Sequence, residues 1–172
     1  MQEVIDLIGK ITADHKKITK DIECTQQVCT DLDAISELGG TSEHVVPRRL
    51  SDQAPGLKKL EASLEAVEKG LTTHFDLEEK SLLKAFEIHG DMTIATALHT
   101  LLLEHSDIRN RLAHAKKSLK ELMTERLSRE VWEGKLWGLK AYINQTGKII
   151  EMHDQSEHEL MQSLKEKFTK GK

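Results

Sequence analysis

The sequence predicts an all-α fold, an up-down-up-down antiparallel four-helix bundle, and three observations carry that reading. Aromatic residues make up only 3% of a chain that is 38% hydrophobic, so its core must be aliphatic. Both prolines fall between residues 47 and 55, which leaves long stretches free for helix. Apolar residues recur in steps of three and four along four segments, the spacing that lines one face of an α-helix. The 172 residues suit a single domain, 1–172, large enough to bury a substantial core.

Helix 1 is expected from about residue 2 to 38, with the stripe Val4, Ile8, Ile11, His15, Ile18, Ile22, Thr25, Cys29, Leu32 and Ile35. Gly39-Gly40 should end it. A loop over 39–54 follows, with Pro47 inside it and Pro55 at its end. Helix 2, about 55–88, carries Leu57, Leu60, Leu64, Val67, Leu71, His74, Glu78, Ser81, Ala85 and Ile88. Gly90-Asp91 reads as a stop followed by a start. Helix 3, about 92–126, carries Ile94, Leu98, Leu101, His105, Ile108, Leu112, Ala115, Leu119 and Leu122. Ser128 is placed to cap helix 4, about 129–168, whose stripe is Trp132, Leu136, Leu139, Ile143, Thr146, Ile150, His153, Glu157, Leu160 and Leu164. Short turns after helices 2 and 3 make neighbours antiparallel.

Charge argues against several functions. The net charge is −4 with both signs interspersed, so no nucleic-acid footprint is expected. The lysines from Lys165 to Lys172 read as a frayed, solvated end. Charges interrupt the N-terminal segment every few residues, so neither a leader nor a membrane span is expected. Cys24 and Cys29 are too far apart on one helix for a disulfide. Free thiols suit a reducing, cytoplasmic setting.

The informative feature is polar. His15, His74, His105 and His153 occupy core-facing positions on the four successive helices. His74 and His153 each have a glutamate one turn later, Glu78 and Glu157, on the same helix face. At about 1.5 Å per residue, His15 and His105 lie roughly 20 Å into their helices, and His74 and His153 roughly 20 Å before the ends of theirs. In an antiparallel bundle all four then meet at one level. A single inward histidine is ordinarily a satisfied core residue. Four at one height with two carboxylates need a cation to take the charge and the lone pairs.

The other histidines do not converge. His44 is in the expected loop and His89 at a helix C-terminus, while His99, His114 and His158 fall beside their stripes. Glu79 and Glu104 point about 100° away from the ligands they adjoin. Glu79 is expected to orient a ligand or face solvent.

Four imidazoles and two carboxylates exceed the needs of one tetrahedral zinc. Mixed nitrogen and oxygen donors in a helical bundle suit iron or manganese. Two octahedral ions offer about twelve positions, and six such side chains with an oxygen bridge leave about two open. Open positions on a redox metal imply small-molecule chemistry with O₂, NO or peroxide.

His15, then His74-Phe75-Asp76-Leu77-Glu78-Glu79, then Leu102-Leu103-Glu104-His105, then His153-x-x-x-Glu157 resembles the hemerythrin-like HHE cation-binding domain. The resemblance spans nearly the whole chain. It implies two non-haem iron ions, oxo- or hydroxo-bridged, with manganese or zinc as substitutes. By it, Glu78 and Glu157 bridge the ions and the four histidines cap them. One departure is chemical. Oxygen carriers of this kind have His-x-x-x-His on the third helix, where this chain has Leu101 before His105 and Arg109 after it. That favours redox or NO chemistry, sensing or iron handling over reversible O₂ storage. A weak peroxidase or ferroxidase, a nitrosative-stress repair protein, and a bundle with a structural metal serving as an interaction module are the alternatives. Arg109 is expected to form a surface salt bridge with a nearby acid. A sensor of this kind would pass its signal through a protein partner.

Overall fold

The computed structural model describes residues 2–38 and 48–170, with side chains described outside 33–53 and 169–170. All regular structure among these residues is helical. Helix α1 is Gln2–Leu38. Helix α2, Arg48–Leu77, passes through a π-helical turn, Glu78–Leu82, directly into α3, Leu83–His89. Helices α4, Met92–Leu102, and α5, Glu104–Thr124, are separated only by Leu103. Helix α6 is Arg129–Lys170. The pieces therefore make four rods. No helix among the described residues is long and apolar enough to cross a membrane.

The rods are held by the expected stripes. Both α1 and α5 pack against α2 and α6. One apolar cluster joins Val28, Cys29 and Leu32 near the end of α1 to Leu57, Leu60 and Leu64 of α2. It also takes in Ala115, Leu119 and Leu122 of α5 and Trp132, Leu136, Leu139 and Ile143 of α6. The Trp132 indole N–H donates to the Leu122 carbonyl at 3.3 Å, tying α6 to α5. A second cluster gathers Val4, Ile8 and Ile11 with Leu82, Phe86, Leu98, Leu102, Met161 and Leu164. Between them lies a third, containing Ile18, Leu71, Phe75, Ile108 and Ile150. The sequence-predicted polar level falls between the second and third clusters on every rod.

Local signals at the helix ends behave as their chemistry demands. The Asp91 carboxylate accepts from Ile94 N–H at 2.9 Å, an N-cap that answers one orphan donor of α4. Ser128 caps α6 through a longer contact, 3.4 Å from Val131 N. Cys24 is exposed and Cys29 buried, both without a disulfide.

Four details differ from the sequence expectation. Helix α2 begins at Arg48 rather than near 55, so Pro55 sits inside a helix. The proline removes one backbone donor there without ending the helix, because the stripe from Leu57 onward buries its face. Pro47, His44 and Ile35 lie outside the described residues or side chains. Beyond Glu78 the stripe of the second rod shifts: Ile88 is 61% exposed, and Leu82 and Phe86 are fully buried instead of Ser81 and Ile88. The π turn is the reason. Its bond from Leu83 N–H to the Glu78 carbonyl spans five residues rather than four, which rotates everything after it. Leu102 rather than Leu101 is buried before the break at Leu103, where Leu103 N–H bonds back only three residues to Thr100. On α6, Met161 is buried where Leu160 was expected.

The shifted register has a direct test. Leu82→Ala is expected to cost about 2–5 kcal/mol, and Ile88→Ala to stay within about 0.5 kcal/mol, in urea unfolding. Equal costs would mean that the second rod keeps a regular α-helical register.

Candidate metal centre

The four rods bring all six sequence-predicted residues into one buried layer. Helix α1 supplies His15, α2 supplies His74, the π turn begins with Glu78, α5 supplies His105, and α6 supplies His153 and Glu157. Glu78 and Glu157 are fully buried, His74, His105 and His153 nearly so, and His15 is 8% exposed, which makes it the open edge of the layer.

Their ligating atoms form two groups, each with all atoms within 4.8 Å of one another. The first is His15, His74, Glu78 and Glu157, and the second is Glu78, His105 and His153. Glu78 belongs to both. Its Oε1 lies 3.5 Å from His15 Nε2 and also contacts His74 Nε2, while Oε2 lies 3.1 Å from His105 Nε2. Glu157 Oε2 reaches His15 Nε2 at 3.0 Å. The π turn thus begins at the residue that links the two groups, in keeping with the frequent use of such bulges at functional sites.

Two carboxylates outside this layer set the histidine tautomers. His105 Nδ1 is 2.8 Å from Glu79 Oε1, and His153 Nδ1 is 3.1 Å from Glu104 Oε2. An ionised carboxylate can only accept, so each Nδ1 carries the proton and donates it. Each Nε2 is then left facing into the layer. The two Nε2 atoms approach each other at 3.2 Å, within hydrogen-bond distance. They share a hydrogen bond when a proton sits on one of them, a place that a cation could equally take. His15 Nε2, both nitrogens of His74, and both oxygens of Glu78, Glu157 and Asp154 are buried without an aligned hydrogen bond. Such orphaned groups are expensive in a protein interior. The donor set and its unsatisfied atoms therefore fit metal ions, and these buried His/Glu groups could hold them.

The metal-free electrostatics show how strained the layer is. Burial opposes charge on His15, yet Glu157 and Glu78, with Asp154 behind them, raise its pKa from 6.5 to about 10. Burial also opposes charge on Glu78, but His105, His15 and His74 hold its carboxyl well below the usual range. Burial pushes the Glu157 carboxyl up to about 8, against the pull of His15. The His153 imidazole is held below its ordinary value by burial, despite Glu104. Protons thus stand in where cations would otherwise balance the carboxylates.

The contacts that reach this layer from neighbouring rods were not read from sequence. Glu104 points away from His105 on its own helix and reaches His153 on α6 instead. Glu79 similarly serves His105 across the rods. The Glu79 side chain is also 38% exposed, as the expectation that it faces solvent allowed. Arg109 forms the expected surface salt bridge, at 3.1 Å to Glu79, and its guanidinium also lies over Phe75. Phe75 is fully buried and stacks on the His105 ring with centroids 3.7 Å apart, fixing the ring plane. Asp154 was missed altogether, although it lies three residues before Glu157, a spacing that shares a helix face. Leu101 is half-buried and outside both groups, so the third rod contributes one imidazole. His89, His99, His114 and His158 are also outside them. Comparison with models of known protein families, with curated proteins and with solved structures found no match.

Proposed function

We propose that this chain is a non-haem di-iron protein of the hemerythrin-like type, an up-down-up-down antiparallel bundle that binds or senses O₂, NO or peroxide, or handles iron. One observation carries this reading. A single buried carboxylate, Glu78, lies within ligand reach of two separate imidazole groups, which is the geometry of a pair of cations sharing a bridge. The topology is supported by the clusters, which join the end of α1 to the start of α2, the end of α5 and the start of α6. His15, His74, Glu157 and Glu78 would hold one ion, and His105, His153 and Glu78 the other. Glu157 groups with the first set alone, so Glu78 is the stronger candidate for a bridge.

When bound, iron supplies one-electron redox chemistry and open coordination positions for a small ligand. The protein's own residues do the rest. Glu79 and Glu104 accept from the Nδ1 atoms, which orients the two imidazoles and turns their Nε2 atoms toward the layer. Phe75 with the apolar clusters above and below excludes water from the His105 side. The His105 group offers three protein donors against four for the His15 group, so it leaves more positions for an exogenous ligand. Manganese or zinc would be accepted as substitutes by the same donors. A cytoplasmic location, a protein partner for signal output, and the absence of nucleic-acid or membrane binding complete the proposal. Peroxide turnover by the loaded protein would identify it as a weak peroxidase instead.

The test is metal analysis of protein purified without chelator from iron-supplied cells, together with Mössbauer spectra. About two coupled iron atoms per chain are expected from a bridged pair. Absence of metal under these conditions would remove the reading.

A further inference from the structure

We propose that Asp154 is a further ligand, completing an oxygen-rich position for the cation held by His15 and making the two cation positions chemically unequal. The inference rests on the dinuclear reading above and extends it to a residue outside the resemblance.

Asp154 lies on α6 directly after His153 and is 9% exposed. Both of its carboxylate oxygens are buried without a hydrogen-bond partner. Oδ1 stands 3.7 Å from His15 Nε2, the nitrogen that would bind a cation. Around it, α1 presents His15, the second rod presents His74 and Glu78, and α6 itself carries Glu151. Both oxygens are therefore buried and unsatisfied next to the nitrogen that would bind a cation, and an ion held there is the group that would satisfy them.

The consequence is asymmetry. The His15 position gains three carboxylates, Glu78, Glu157 and Asp154, beside two imidazoles. The His105 position has two imidazoles and only the shared Glu78. Oxygen donors favour harder ions and imidazole suits softer ones, so the His15 position takes the harder cation of a mixed pair.

Mn²⁺ titrated into the metal-stripped full chain, with bound and free ion separated by electron paramagnetic resonance, tests the assignment. Two binding steps are expected for the unaltered chain. Asp154→Asn keeps the shape and removes the charge; it should weaken one step by at least about 10–100-fold, the range for lost outer carboxylates, and leave the other unchanged. Infrared spectra of the unaltered chain with ¹³C-labelled aspartate provide a second readout that needs no variant, with a carboxylate stretch expected to shift on Mn²⁺ addition. Two unchanged steps in Asp154→Asn overturn the role of Asp154 while the centre stands. Equal weakening of both steps also overturns it, because Asp154 then acts through the fold. No Mn²⁺ binding by the unaltered chain overturns the dinuclear reading and this one with it.

Discussion

Glu78→Ala is expected to empty both cation positions, whereas Glu157→Ala weakens the His15 position alone. Glu78 is the one residue common to the two groups, and both of its oxygens face imidazole nitrogens. Losing an outer carboxylate from such a site already costs about 10–100-fold in affinity, so losing a shared ligand should cost more than about 100-fold at each position. The fold should persist. Its stability comes from the aliphatic clusters above and below the layer, which the substitution does not touch. Metal analysis alongside far-ultraviolet circular dichroism separates the two effects. A helical Glu78→Ala protein that retains a coupled metal pair would show that the bridge is elsewhere.

Stripping the metal should lower thermal stability more than any single surface substitution. A ligand that binds only the folded chain at about 1,000 times its Kd adds about 4 kcal/mol per site. Two sites then supply about 8 kcal/mol, or ~15–30 °C in Tm for a chain of this size. The physical source is the layer itself, where buried carboxylate oxygens are left without hydrogen-bond partners. The gain should shrink on acidification. Glu157 holds a proton up to about pH 8 in the metal-free protein, and His15 up to about pH 10, and both must lose it to bind a cation. Protons therefore compete more strongly as pH falls below about 8. Calorimetric scans with and without a chelator at several pH values measure this. An unchanged Tm on chelation would show that no cation contributes to the folded state.

Periodicity by itself determined the four rods and the height at which six polar residues meet. The stripe positions from Val4 to Leu32 are buried as read, and so are His74, Glu78, His105, His153 and Glu157. This was legible because residues three and four apart must share a face of any α-helix, whatever it packs against. The reading failed after Glu78, where a π turn rotates the helix, and near Leu103, where the third rod breaks. Neither irregularity has a glycine or proline at its centre to announce it. Tertiary structure alone decided which of these side chains come together. The division of the six residues around Glu78, the reach of Glu104 to His153 and of Glu79 to His105, and the place of Asp154 beside His15 all cross between rods. Such contacts depend on how neighbouring helices are rotated and offset along their axes. Side-chain packing between rods sets those two quantities, and no single helix encodes them in its own spacing.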